Sequence, residues 1–224
     1  AREFACEFKK LYHDTDVRAA IFAPYTQLQA LKEELSGSGI GVGAQNVHFE
    51  KEGAFTGEIS VEMLEELGVD YCLVGHSERR QYFGETNETV NLKLKALLQS
   101  KILPVVCVGE KLEEREAGKA QSLVSSQVKA AFSGISGNDA CKVTIAYEPV
   151  WAIGTGKTAT PEQANEMCSC IRETLTEIYD EETADKIVIQ YGGSVKPENA
   201  TEIMNMEEID GALVGGASLD PLKF

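Results

Sequence analysis

Long apolar runs are missing from this sequence, and so is positive charge. No stretch of its 224 residues approaches the roughly 20 apolar residues that a bilayer-spanning helix needs. Lys and Arg number 21 against 36 Asp and Glu, a formal charge of -15, which argues against a nucleic-acid binder. A phosphate ligand must then be held by local positive ends rather than by a global field. The six cysteines fall at irregular spacings that match neither a zinc site nor a disulfide framework. Cys72, Cys107 and Cys141 lie in or beside apolar strands as small hydrophobes, while Cys168 and Cys170 point to different faces of one helix. No signal-peptide pattern opens the chain, so a reducing cytoplasm is the expected setting. In that setting the glycosylation-type triplets at Asn87 and Asn199 are discounted. Linkers and composition breaks are absent as well, which leaves a single domain over 1–224.

What the chain does have is rhythm. Short, nearly continuous apolar runs begin at Ala19, Ile40, Tyr71, Ile102, Val143, Lys186 and Gly211. Such runs predict seven strands buried on both faces, as in a parallel sheet. Amphipathic stretches lie between them. Val90, Leu94, Leu97 and Leu98 share one helical face, and Leu123, Val124, Val128, Ala131 and Phe132 cover a broader one. The chain opens in a helix, and "TPEQ" at Thr160 marks a helix start with a capping residue, a first-turn Pro161 and Gln163 in capping-box position. Several strands end in polar or Gly-rich segments, a rim that favours a closed α/β barrel over an open sheet with one switch point.

The motifs read two ways on spacing alone. "GTGKT" lacks the Gly a phosphate loop needs, because that position is Trp151, and "GIGVGA" carries its glycines inside a strand rather than after one. His13 and His48 default to surface or capping roles. His76 ends a buried strand and is either structural or functional; the charges after it, from Glu78 to Arg80, read first as an ion-pair network. Glu148 at a strand end either pairs with an Arg or serves chemistry. The apolar tip Trp151-Ala152-Ile153 in a Gly-rich loop suits a lid that excludes water; the alternative is an ordinary loop with a buried Trp. The glycines of "YGGS" and "VGGAS" either let backbone N–H groups approach a phosphate or simply make tight turns.

Together "GAQNVHFEKEGAFTGEIS", "YCLVGHSERRQYFGE", "CVGEKLEERE", "AYEPVWAIGTGK", "QYGGSVKPENA" and "DGALVGGASL" resemble triosephosphate isomerases, in that family's order and over nearly the whole chain. The resemblance implies a (β/α)8 TIM barrel, a homodimer, and interconversion of dihydroxyacetone phosphate and glyceraldehyde 3-phosphate with no cofactor and no metal. It carries over the family's roles: Glu148 as base, His76 as neutral electrophile. Gly154, Ser194, Gly215 and Gly216 match the positions whose backbone holds the phosphate, and 149–159 matches the lid, with Trp151 and Ile153 in it. Glu78 matches a carboxylate behind the site, Tyr191 a latch for the closed lid, and Thr56 the loop that enters the partner subunit.

One segment has no counterpart. The family's first strand carries an Asn and a catalytic Lys, and nothing here matches it; the chain also stops within the last helix. The expectation is a barrel incomplete at both ends. Its first strand and most of its last helix are absent from the sequence, which leaves seven strands. The alternative function is then a catalytically inactive remnant acting as an interaction protein.

Overall fold

A computed structural model describes residues 1–13, 16–153 and 158–224. The apolar runs form the strands β1 (Ala20–Ala23), β2 (Gly41–Ala44), β3 (Tyr71–Val74), β4 (Leu103–Val108), β5 (Thr144–Tyr147), β6 (Val188–Tyr191) and β7 (Gly211–Ala212). All seven pair in parallel and in chain order, β1 to β7, as one sheet. Seven strands were expected, and each lies within its predicted run. Parallel neighbours need helical crossovers, and the helices fall between the strands.

Helix α1 (Arg2–Leu11) opens the chain, α2 (Tyr25–Glu34) follows β1, and α3 (Val61–Glu66) follows β2. Two helices, α4 (Ser77–Tyr82) and α5 (Asn87–Leu97), follow β3. Beyond β4 come α6 (Leu112–Glu116), α7 (Ala120–Ala131) and α8 (Gly137–Ala140). Helices α9 (Pro161–Ile178) and α10 (Glu181–Lys186) precede β6, and α11 (Pro197–Met204) precedes β7. This alternation of parallel strands and helices is that of a TIM barrel.

The helices bury the faces their spacing predicts. Val90, Leu94 and Leu97 of α5 and Val124, Val128 and Ala131 of α7 are buried. They meet strand residues such as Val106, Ile145 and Ile189 in one apolar cluster. Leu98 and Leu123 sit at the margin of that face and are only half-buried. Helix α9 starts as "TPEQ" predicts: Thr160 Oγ1 accepts from Gln163 N, Gln163 Oε1 accepts from Thr160 N, and Pro161 fills the first turn. Cys168 is buried and Cys170 half-buried on α9, two faces of one helix. No helix among the described residues is long and apolar enough to cross a membrane.

His48 departs from its expected surface place. It is half-buried, with the tilted rings of Phe49 and Phe55 at centroid distances of 4.6 and 4.5 Å. Phe49 is next to it in sequence, but only the folded loop brings Phe55 against the ring. His13 is exposed, as expected.

Candidate active site

The carboxyl ends of adjoining strands bring together residues far apart in sequence. His76 stands just past β3, Glu110 just past β4, Glu148 just past β5, Ser194 past β6 and Gly215 past β7.

Glu148 is placed by its backbone. Its N–H donates to Val108 O at 2.7 Å, and a Cβ on Gly109 would fall 1.8 Å from its carbonyl oxygen. The end of β4 can therefore lie against Glu148 only as glycine. Glu148 itself is 2% exposed. Its Oε2 accepts from Ser77 N at 3.0 Å, and its Oε1 accepts from Ser77 Oγ at 3.3 Å and lies 2.9 Å from His76 Nε2. The pairing with an Arg that spacing allowed is not formed; its partners are a histidine, a hydroxyl and a helix-terminal amide.

His76 is the N-cap of α4, its Nδ1 accepting from Glu78 N at 3.3 Å. An acceptor Nδ1 leaves Nε2 as the protonated nitrogen, aimed at Glu148. Burial of the ring disfavours its charged form, yet hydrogen bonding and attraction to Glu148, with Glu78 and Glu85, outweigh it and raise the imidazole above its usual value. The amide at the start of α4 pulls the other way, since it needs an unprotonated Nδ1. Cys107 lies fully buried near the same carboxylate, and burial first, then Glu148, pushes its thiol well up. It is the inert hydrophobe its spacing suggested.

The segment after Glu148 is anchored before it becomes a loop. Val150–Ala152 forms a 3-10 turn whose Val150 N donates to Glu110 O at 3.1 Å. The fully buried Glu110 accepts at Oε1 from Trp151 Nε1 (2.9 Å), Tyr147 Oη (3.0 Å) and Arg115 Nη1 (3.2 Å). The Arg115 guanidinium also stacks 5.1 Å from the Trp151 ring centre. Glu110 carried no role in the sequence reading; its signal was its position, a carboxylate just past a strand and a glycine, as Glu148 nearly is. Ser77 was missed as well, since its partner lies 71 positions on.

Ser194 and Gly215 follow paired strands, β6 and β7. Ser194 is half-buried, with its carbonyl accepting from Asn199 Nδ2 at 2.9 Å, and Gly215 and Gly216 are exposed with open space where a Cβ would stand. Gly154 lies outside the described residues. Ile153 is half-buried at the end of the anchored turn, and Glu78 is exposed with its carboxylate 3.9 Å from His76 Nδ1. Tyr191 is fully buried, its phenol pushed up to about 12, chiefly by burial. Thr56 sits in an exposed turn. Among the described residues no three His, Cys, Asp or Glu side chains converge as metal ligands.

A triosephosphate isomerase family model matches residues 1–224. Curated relatives bearing that name include one from Carboxydothermus hydrogenoformans, 57% identical over 208 residues (93% of this chain, 83% of the relative). Another, from Lactobacillus gasseri, is 54% identical over 215 residues (96% and 86%). A third, from Clostridium botulinum, is 53% identical over 224 residues (100% and 90%).

Proposed function

The chain belongs to the triosephosphate isomerase family, and from that premise we propose that it interconverts dihydroxyacetone phosphate and glyceraldehyde 3-phosphate through an enediolate, with Glu148 as base and His76 as neutral electrophile. The observation that carries the assignment of roles is the 2.9 Å approach of Glu148 Oε1, past the end of β5, to His76 Nε2, past the end of β3, with β4 between them. A three-carbon substrate entering there parts the two groups and takes a face of each. Glu148 removes the proton from the carbon beside the carbonyl and returns it to the adjacent carbon. His76 Nε2–H donates to the substrate oxygens as negative charge develops on them, and a neutral ring can give and regain that proton between two oxygens of similar basicity.

The pairing with His76 and Ser77 gives Glu148 a defined resting place. Its three contacts lie on His76 and Ser77, so it swings toward substrate by leaving two adjacent residues. A shut, dry site disfavours loss of phosphate from the enediolate. Backbone N–H groups of Gly154, Ser194, Gly215 and Gly216 take the phosphate, Tyr191 latches the lid, and Glu78 stands behind His76. The whole chain acts as one barrel domain of a cytoplasmic homodimer, with the Thr56 loop reaching the partner. An inactive interaction protein is not favoured, since the isomerase family model spans the chain and its curated relatives bear the isomerase name.

The test is turnover. Glu148→Gln is expected to lower kcat by about 10²- to 10⁴-fold with little change in KM, measured by a coupled assay on glyceraldehyde 3-phosphate. Near-normal turnover rejects Glu148 as the base.

A further inference from the structure

The peptide that leads into His76 is gripped on both sides. Gly75 has φ +77, and a Cβ there would stand 2.9 Å from Cys107 O, so only glycine makes this turn from β3 into α4. Its N–H donates to Glu85 Oε1 at 3.0 Å, and its carbonyl accepts from Arg80 Nε at 2.7 Å. Both grips are themselves held. Arg80 donates through Nη1 to Asn87 Oδ1 (2.7 Å) and through Nη2 to Cys107 O (3.2 Å). Glu85, 7% exposed, takes Arg79 Nε at 2.9 Å and lies 3.2 Å from Lys93 Nζ.

We propose that Arg80 and Glu85 are positioning residues for the isomerisation: a clamp on the Gly75 peptide that aims the His76 imidazole at the reacting oxygens. This rests on the isomerase reading of the site. The geometry explains why an arginine stands there. Its three acceptors lie in different directions on the β3 end, the β4 end and the start of α5, and a guanidinium reaches all three in one plane where an ammonium cannot. Without the clamp, a left-handed glycine directly before the electrophile is free to turn, and the ring loses its aim. Neither side chain touches substrate; both act through His76.

The experiment compares the wild-type chain with Arg80→Lys and Asn87→Ala, each checked for native circular dichroism. In Arg80→Lys, kcat on glyceraldehyde 3-phosphate is expected to fall on the order of 10- to 100-fold with KM held within about twofold. Asn87→Ala, which only loosens the guanidinium, is expected to move kcat the same way by less. The second readout, NMR of the His76 ring nitrogens, needs no turnover. At a pH above the raised imidazole value, wild type gives one bare and one protonated nitrogen, and Arg80→Lys draws the two signals together as the fixed tautomer is lost. Unmoved ring signals with wild-type kcat overturn the clamp, as does a loss confined to thermal stability or to KM. Should Arg80→Lys fail to fold, Asn87→Ala decides by the same measures. A wild-type chain without turnover whose ring signals still move in Arg80→Lys rejects the isomerase reading and keeps the clamp.

Discussion

The charge on His76 depends on which neighbour holds it. Glu148 at Nε2 favours a protonated ring, and the Glu78 amide at Nδ1 favours a neutral one. The balance lies above the usual imidazole value of about 6.5. A raised folded-state value means the folded chain holds the proton more tightly than the unfolded one. The stability this contributes is fully present below about pH 6.5 and is lost as pH rises through the raised value. Stability of the wild type minus that of His76→Gln, from urea titrations across pH, is therefore expected to be largest on the acid side and to shrink on the alkaline side. A difference that grows with pH contradicts the pairing.

At the scale of elements, the turn after Glu148 is held by a charge with no role in proton transfer. Glu110 Oε1 collects three donors from Trp151, Tyr147 and Arg115, and a neutral amide cannot hold all three as well. Glu110→Gln is expected to cost about 1–3 kcal/mol of stability and to shift Trp151 emission to the red, both read in one urea titration followed by fluorescence. An unchanged midpoint and spectrum reject the anchor.

The strands were legible from the sequence because parallel strands are apolar on both faces, and α5, α7 and α9 because their buried faces repeat. The short helix α4 was not, since it reads as a charged strand-end segment and its first turn depends on His76 as cap. Glu148 and His76 could be named individually, but their contact could not. It joins residues 72 positions apart through the curl of the sheet, and Ser77, Glu110 and Arg80 show their partners only once β3, β4 and β5 lie side by side. His48 was misplaced for the same reason: burial by Phe55 is a property of the folded loop.

For the whole molecule, the formal charge of -15 opposes casual self-association, so a dimer must rest on a specific apolar face. Sedimentation equilibrium at micromolar concentration is expected to give twice the chain mass, and Thr56→Glu, which places a charge on the exposed loop tip, to shift the balance toward monomer. A wild-type monomer under those conditions rejects the homodimer.

The order β1 to β7 along the sheet also bears on how the chain is made. Each inner strand pairs with the one synthesised before it and the one synthesised after it. A nascent chain leaving the ribosome can therefore add each β/α unit to the growing edge as soon as that unit emerges. No inner strand waits on a distant part of the message, and the growing edge is the one the next unit covers.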